Sequence, residues 1–363
     1  MNIQECLNID PYVLNKEDKQ KFLCSELNKL TQLHMDNCSE YQSILKAYSY
    51  LDTTFQSLEE FPYLPVRLFK EYELKSCEDE EIIKTMTSSG TTSQKVSKIF
   101  LDKETATLQT KVLVKIMQNF LGKTRLPMLI IDTKSILKDR KMFSARGAGI
   151  LGLSTFGRKH TYALNEKMEI DFEVIQQFLD EHKGQKVFIF GFTFMIWQYF
   201  YMQLKEKNIV LDLSNSILIH SGGWKKLIDQ SVDNKTFKQS LEKQTGIRDI
   251  HDFYGMVEQV GSVFVECEEG HLHASTFSDV IIRDKMTLEP LAIGEEGIIE
   301  VLSVVPRSYP GHVLLTEDVG ILRGEDDCAC GRKGKYFTVN GRLAKAEIRG
   351  CSDTHTSDER ELR

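Results

Sequence analysis

A run of small hydroxyl residues around one glycine is the first feature of the sequence with the means to do chemistry. It lies in the stretch TMTSSGTTSQKVSK at positions 85–98, and its members are Thr87, Ser88, Ser89, Gly90, Thr91 and Thr92. Glycine lets the backbone fold close to an anion, so that N–H and hydroxyl groups point inward, and Lys95 and Lys98 add positive charge. The pattern predicts a phosphate-gripping loop. The same residue types also build ordinary solvated turns, and the Walker pattern G-x-x-x-x-G-K-[ST] does not occur here.

Two further stretches end predicted strands with residues suited to a flat ligand. In one of them Gly222 and Gly223 follow an apolar strand, and paired glycines permit close approach of the backbone. In the other, Tyr254 and Glu258 follow a strand and place an aromatic ring and a carboxylate around one tight turn. Ligands of open α/β sheets gather at the carboxyl ends of strands, so both turns are candidates for a ligand site.

A third group of residues has the chemistry of a metal site. Cysteines and histidines occur in ECEEGHLHA and in DDCACGRKG, namely Cys267, His271, His273, Cys328 and Cys330. Zinc favours such thiolate and imidazole sets, and four of these ligands would complete a structural site. The C-x-C spacing departs from the usual C-x-x-C, and reduced, unpaired cysteines in loops are the alternative.

The elements that must position these residues follow from the alternation of the chain. Between the hydroxyl loop and Tyr254, predicted strands and helices alternate, which favours an α/β fold with a parallel sheet and crossover helices. Beyond Gly261 short strands separated by turns, with 312–316 and 320–323 as two separate strands, predict a mostly antiparallel or barrel-like subdomain. We therefore divide the chain into a helical cap and lead-in at 1–80, a nucleotide-binding core at 81–260, a β-rich subdomain at 261–341 and a short tail at 342–363.

Composition excludes several classes of protein. Lys and Arg number 46 against 53 Asp and Glu, a net charge of −7 that argues against a nucleic-acid groove. The uncharged run 187–202 is shorter than the ~20 residues of a membrane span and changes character at Gly191, so it predicts a buried strand feeding a helix. The N-terminus lacks the pattern of a signal peptide, which predicts a cytoplasmic protein with reduced cysteines.

The order of these motifs resembles that of the adenylate-forming enzymes, which include acyl-CoA synthetases and phenylacetate-CoA ligases. Within that superfamily the sequence is most similar to the LuxE-type acyl-protein synthetases. The motifs that carry the resemblance are LPVRLFK at 64–70, TSSGT at 87–91, SGGWK at 221–225, RDI and VEQ around 248–259, LLTEDVGIL at 314–322 and RGCS at 349–352. The resemblance implies the large N-terminal domain of the adenylate-forming fold, with the C-terminal mobile domain largely absent.

The resemblance also implies a role for each motif in binding ATP and Mg²⁺. The hydroxyl loop would hold the β- and γ-phosphates with support from Lys95, while Gly222, Gly223 and Tyr254 would frame the adenine. Glu258 would ligate Mg²⁺, Asp318 would accept hydrogen bonds from the ribose hydroxyls, and Arg342 would contact the ribose-phosphate region. The chain departs from the family's pattern at Ser93, Val257 and Glu317, positions expected to affect rate and substrate more than nucleotide binding.

The short ending after Arg342 implies the fate of the acyl group. The resemblance implies an enzyme without the mobile domain that supplies a catalytic lysine and a CoA tunnel, and Cys351 matches the cysteine that accepts the acyl group in the acyl-protein synthetases. The resemblance thus implies activation of a carboxylic, long-chain acyl substrate and its delivery to a partner similar to an acyl-CoA reductase or to a carrier protein. Transfer to CoA or a carrier thiol, with Cys351 incidental, and a nucleotide-binding subunit without turnover are the alternatives.

Overall fold

The computed structural model describes residues 1–50, 53–88, 95–137, 145–224 and 229–343. The predicted roles of Ser89, Gly90, Thr91, Thr92 and Cys351 fall outside the described residues. The other predicted site residues lie within them.

The strands and helices of the described residues have the following bounds. The strands are β1 (Leu64–Pro65), β2 (Lys84–Thr87), β3 (Lys98–Leu101), β4 (Leu126–Thr133), β5 (Gly157–Leu164), β6 (Val187–Phe192), β7 (Ser216–Ser221), β8 (Asp249–Met256), β9 (Gln259–Glu266), β10 (Leu272–His273), β11 (Ser278–Arg283), β12 (Glu296–Ser303), β13 (Val313–Glu325) and β14 (Lys335–Arg342). The helices are α1 (Ile3–Cys6), α2 (Lys16–Asn37), α3 (Ser39–Ala47), α4 (Leu68–Glu71), α5 (Lys103–Leu121), α6 (Ala145–Ser154), α7 (Phe172–Glu181), α8 (Thr193–Met195), α9 (Met202–Glu206) and α10 (Asn234–Thr245). A π-helical segment, Ile196–Tyr201, joins α8 to α9, and short 3₁₀ turns lie at Leu58–Glu60, Asp79–Glu81 and Lys134–Leu137.

One large mixed sheet organises the molecule. Its order is β11-β12-β13-β14-β10-β9-β8-β7-β6-β4-β5, with β1 added beside β13. The strands from β5 to β8 in this order are parallel, as predicted, and those from β8 to β11 are antiparallel. The proposed boundary at residue 260 falls within β9, which pairs with β8 in the same sheet; the division into domains stays a prediction.

The central strands of the parallel half are buried on both faces, as expected for continuous apolar runs. All six residues of β6 are buried, as are the apolar residues of β7 and those of β4 after Leu126, whereas β5 and β8 include exposed residues. The predicted change of character at Gly191 is confirmed, since β6 leads directly into α8 and the π-helical segment. Among the described residues, no helix combines the length and apolarity that crossing a membrane requires.

Two details of the strands differ from the prediction. Residues 312–316 and 320–323 were expected to form separate strands, but they belong to the single strand β13, whose pairing with β14 is interrupted by bulges rather than by a turn. Tyr254 was expected in a turn, but β8 continues through it to Met256, and the turn is confined to Val257 and Glu258. These two differences place Asp318 and Tyr254 within paired strands and not in turns.

The N-terminal helices dock on the antiparallel half. Asn15 caps the start of α2 by accepting a hydrogen bond from the Asp18 N–H. The buried face of α2 then reaches the C-terminal strands: the Lys19 ammonium donates to the Ala274 carbonyl at 3.1 Å, and the Thr31 hydroxyl contacts His312 Nε2 at 3.1 Å. Residues far apart in the chain therefore form one core.

Candidate nucleotide site

Tyr254, Asp318 and Arg342 meet at the edge where β8, β13 and β14 come together. The Tyr254 hydroxyl donates to Asp318 Oδ2 at 2.7 Å, and Arg342 Nε donates to Asp318 Oδ1 at 3.1 Å. Asp318 and Arg342 are direct partners in the pairing of β13 with β14. The fold thus brings together three residues that are up to 88 positions apart in the sequence, and it leaves each carboxylate oxygen of Asp318 with lone-pair capacity for further donors.

Thr316 fixes the backbone of Asp318, a role that the motif alone did not assign. Its hydroxyl donates to the Ile299 carbonyl at 2.7 Å and accepts the Asp318 N–H at 3.1 Å. A hydroxyl residue two positions before an aspartate is the signature of such a local turn, so the signal was present in Thr-x-Asp. The contact links β13 to β12 beneath the carboxylate.

Burial and charge both act on the Tyr254 hydroxyl. Burial, followed by the negative charge of Asp318, holds the pKa of Tyr254 well above its ordinary value. The phenol of Tyr254 therefore stays protonated and donates its hydrogen to the Asp318 carboxylate, which it holds in position. This arrangement fits a carboxylate that binds hydroxyl groups.

Glu258 occupies the tight turn between β8 and β9 and is buried, with 8% of its surface exposed. Gln259 anchors the turn, since its amide donates to the carbonyls of Val301 and Gly311 at 2.9 Å each. Burial raises the pKa of Glu258, and the neighbouring Ser97, Lys70 and Arg342 act in the opposite direction. A buried carboxylate near Lys70 and Arg342 is suited to bind a divalent cation that is itself bound to an anionic ligand.

Ser97 and Lys70 are the residues around Glu258 that sequence reasoning missed. Ser97 lies just after the hydroxyl run and is fully buried, and Lys70 ends the LPVRLFK motif. Lys70 carried a signal, because that motif supported the resemblance without receiving a role. Ser97 carried none, since its burial follows from the packing of β3.

The predicted phosphate loop connects the two strands of the β2–β3 hairpin. At its base the Ser88 N–H donates to the Ser97 carbonyl at 3.1 Å, and the Ser97 N–H donates to the Ser88 hydroxyl at 2.9 Å. Lys95 is on the surface, where its ammonium donates to Glu71 at 2.8 Å. Ser97 therefore joins the base of the loop to the surroundings of Glu258.

Gly222 continues directly from β7, beside β8. Its φ of +82° is the left-handed conformation that favours glycine, and an added Cβ would lie 3.1 Å from the ring of Phe192. Because Ser221 pairs with Phe253, this turn lies next to the strand that carries Tyr254. Gly223 is exposed, with open space where a Cβ would be.

The cysteines and histidines of the predicted metal site also come together, at the opposite end of β13 and β14. One ligand atom from each of Cys267, His273, Cys328 and Cys330 lies within 4.8 Å of the others. His271 is beside this group, with its Nδ1 3.7 Å from Cys328 Sγ, but it is not one of the four.

The fold is that of adenylate-forming ligases. The structure matches a 2-hydroxyisobutyryl-CoA ligase, solved in an open conformation with 2-HIB-AMP and CoA, with a TM-score of 0.69 over 92% of this chain and 77% of that chain. A second structure of that ligase, in the postadenylation state, gives a TM-score of 0.68 over 91% of this chain and 69% of that chain. The sequence identities are 16% and 14%, so the likeness concerns the fold.

The chain belongs to the acyl-protein synthetase LuxE family, whose family model matches residues 2–358. It is similar to the long-chain-fatty-acid–luciferin-component ligase of Vibrio harveyi, with 25% identity over 346 residues, 92% of this chain and 87% of the relative. The ligase of the same name from Aliivibrio fischeri is 24% identical over 309 residues, 80% of this chain and 76% of the relative. Family and fold confirm the predicted class of enzyme, an acid-activating ligase.

Proposed function

We propose that this enzyme uses ATP and Mg²⁺ to convert a long-chain fatty acid into an acyl-adenylate and then transfers the acyl group to its own Cys351 as a thioester. The observation that carries the nucleotide part is the contact of Asp318 with both Tyr254 and Arg342, close to the buried Glu258. Membership of an acyl-protein synthetase family supports the transfer part. The names of the two bacterial relatives support a long-chain fatty acid as the substrate class.

Asp318 would bind the ribose of ATP. An ionised carboxylate has about four lone-pair sites, and Tyr254 and Arg342 use one on each oxygen. The remaining sites would accept the two adjacent ribose hydroxyls. Tyr254 and the Gly222–Gly223 turn would then lie against the adenine, since they sit on neighbouring strand ends.

Glu258 would hold Mg²⁺, a hard cation that prefers oxygen ligands and bridges phosphate groups. Lys70 and Arg342 are the cations whose charges already act on Glu258, so they would face the phosphates. The hydroxyl loop would cover the β- and γ-phosphates from the β2–β3 hairpin, with Lys95 exchanging Glu71 for phosphate. The metal would neutralise charge as pyrophosphate leaves.

The acid would lie along the apolar segment that leaves β6. The Phe192 ring lies where a side chain at Gly222 would point, and Trp197 stacks on Phe237 with ring centroids 5.8 Å apart. These rings make an apolar wall that begins beside the nucleotide turn. An alkyl chain attached to a carboxylate at the α-phosphate would extend toward that wall.

The reaction consists of two steps, adenylation and acyl transfer. The carboxylate oxygen attacks the α-phosphorus, a C–O–P bond forms, and the bond to pyrophosphate breaks. The Cys351 thiolate then attacks the acyl carbonyl, a C–S bond forms, AMP leaves with the bonding electrons, and the thiol proton has gone to solvent. The thioester would be delivered to a cytoplasmic partner similar to an acyl-CoA reductase or to a carrier protein.

Intact-protein mass spectrometry tests both steps. The enzyme is incubated with ATP, Mg²⁺ and short-chain, long-chain or aromatic acids, while pyrophosphate release is followed in parallel. We expect a hydroxylamine-labile acyl mass with long-chain acids on the wild type and on Cys77→Ser, and none on Cys351→Ser. Cys77→Ser is the matched control because Cys77 is a partly exposed thiol to which no role is assigned.

The two halves of the proposal fail separately. Pyrophosphate release without an acyl mass on the wild type would move the acceptor to an external thiol such as CoA or a carrier. ATP binding without pyrophosphate release for any acid would contradict adenylation itself.

A further inference from the structure

Two glycine-containing turns bring the four sulfur and nitrogen ligands together. Cys267 lies in the turn between β9 and β10, where its N–H donates to the His271 carbonyl at 2.8 Å. His273 is the last residue of β10, and Cys328 and Cys330 lie in the turn between β13 and β14. The Gly331 N–H closes that second turn on the Cys328 carbonyl at 3.0 Å. Backbone hydrogen bonds therefore hold both turns in place independently of any metal.

Two of the separations between ligand atoms match those of a tetrahedral site. With Zn–S bonds of about 2.3 Å, two sulfurs on a regular tetrahedron lie about 3.8 Å apart. The Sγ atoms of Cys267 and Cys328 are 3.9 Å apart, and Cys330 Sγ is 3.4 Å from His273 Nε2. The sulfur separation is also far beyond the ~2.05 Å of a disulfide bond. We propose that Cys267, His273, Cys328 and Cys330 bind one zinc ion in a closed, structural site.

The surroundings balance the charge of such a centre. Three thiolates and a neutral imidazole around Zn²⁺ carry a net charge of −1. Arg332 lies beside Cys330, and its guanidinium packs 4.5 Å from the centre of the Phe120 ring. This cation is partly shared with Glu268, whose Oε2 accepts from Arg332 Nη1 at 2.5 Å.

The burial of the cluster matches a structural rather than a catalytic metal. Cys267 and His273 are fully buried and Cys328 is 7% exposed. The Tyr12 and Tyr336 rings pack against His273, with centroids 6.1 Å and 5.5 Å from it. Four protein ligands under two aromatic rings leave no open coordination position for a substrate.

Zinc would fasten the end of the β13–β14 hairpin that lies opposite the nucleotide site. Glu325 pairs with Lys335 at the zinc end, and Asp318 pairs with Arg342 at the nucleotide end. The same metal would tie this hairpin to β9 and β10. The N-terminal segment would be held there too, because the Lys333 N–H donates to the Tyr12 carbonyl at 2.9 Å. This role does not depend on the identity of the acid or of the acyl acceptor.

Metal analysis of the purified enzyme tests the site without any substrate. By inductively coupled plasma mass spectrometry we expect about one zinc per chain in the wild type and in His271→Gln. In His273→Gln and in the double variant Cys328→Ser/Cys330→Ser we expect at least a tenfold lower content. His271→Gln is the matched control, since His271 is two residues from His273 and touches the cluster without belonging to it.

Three results would overturn the assignment. They are a wild type without stoichiometric zinc, zinc retained in the double cysteine variant, and iron in place of zinc. Loss of zinc in His271→Gln but not in His273→Gln would contradict the ligand set.

Cobalt substitution keeps the test independent of whether a variant folds. The wild-type enzyme, produced with Co²⁺ in place of zinc, should show thiolate-to-cobalt charge transfer and the intense visible bands of tetrahedral Co²⁺. The weak bands of octahedral Co²⁺ without charge transfer would contradict a closed site of three thiolates and one imidazole.

Discussion

The two ends of the β13–β14 hairpin are built differently. At one end Asp318 and Arg342 form an ion pair whose arginine side chain is 43% exposed, and the partners are held by single hydrogen bonds. At the other end Cys328 is buried against Cys267 and His273, and Cys330 contacts His273. A site that must admit and release a nucleotide needs exposed groups with lone pairs to spare, whereas a site that fastens a turn needs saturated ligands. One pair of strands would serve both proposed sites because its register places them at opposite ends of the hairpin.

The largest expected effect is at the metal end. Cys328→Ser should lower the free energy of unfolding by about 4 kcal/mol or more, because loss of a structural metal is among the few single changes of that size. ATP-dependent pyrophosphate release should fall with it, since β13 and β14 carry Asp318 and Arg342. Urea denaturation of the variant and of Cys77→Ser measures the difference. Equal stability of Cys328→Ser and wild type would remove the proposed contrast between the two ends.

At the nucleotide end we expect a large loss of activity with little loss of stability. Asp318→Asn keeps the shape of the side chain but replaces a charged acceptor, and hydrogen bonds to charged groups contribute about 1.5–3 kcal/mol. We therefore expect kcat/KM for ATP to fall about 10- to 100-fold, with the urea midpoint nearly unchanged. Glu317→Gln is the matched control because it makes the same change of charge at the adjacent residue, to which no nucleotide contact is assigned. A large loss of stability in Asp318→Asn would mean that this end also fastens the fold.

The free energy of unfolding should depend on pH through Glu258. Burial raises its folded pKa above the ordinary value of 4.5, so the folded state holds this proton more tightly than the unfolded chain does. The resulting contribution to stability is present below about pH 4.5 and is lost as the pH rises through the folded pKa. Above that range the buried negative charge of Glu258 destabilises the folded state. Glu258→Gln should therefore unfold at a higher urea concentration than wild type.

The same substitution should abolish most of the activity that depends on Mg²⁺. Glu258→Gln removes the charge that a hard cation prefers, so pyrophosphate release should fall at every Mg²⁺ concentration. In the wild type, activity should decline as the pH falls through the raised pKa, because the protonated carboxyl no longer binds the metal. Paired urea and activity profiles against pH measure both effects. A variant that is less stable at neutral pH yet fully active would contradict the proposed role.

Local patterns predicted the buried parallel strands but could not predict the contacts between strands. The apolar runs of β4, β6 and β7 indicate buried parallel strands, and the glycine pair after β7 indicates the turn at Gly222, whereas Tyr254 was expected in a turn and lies within β8. The meeting of Tyr254 with Asp318 depends on the order of strands in the sheet, which no local spacing contains. The resemblance to a family supplied that pairing of roles, and the structure supplied the hydrogen bonds.

The metal cluster shows the same limit at a finer scale. His271 and His273 are two residues apart, so a strand places both on one face and the sequence does not choose between them. The choice follows from where the β13–β14 turn puts Cys328 and Cys330. No local pattern indicates Ser97 either, because its burial beside Glu258 arises from tertiary packing alone.

The smallest effect is expected at the rim of the nucleotide site, where Lys95 pairs with Glu71 on the surface. Both side chains are more than half exposed, and exposed ion pairs contribute little to stability. Lys95→Ala should therefore leave the urea midpoint unchanged while raising KM for ATP a few-fold, since the ammonium would face the phosphates once ATP is bound. Lys98→Ala is measured beside it, because Lys98 is the second lysine of the same stretch and forms a similar surface pair with Glu73 at 2.5 Å. If both variants bind ATP as wild type does, the hydroxyl loop holds the phosphates without either lysine, and the cations that matter are those nearest Glu258.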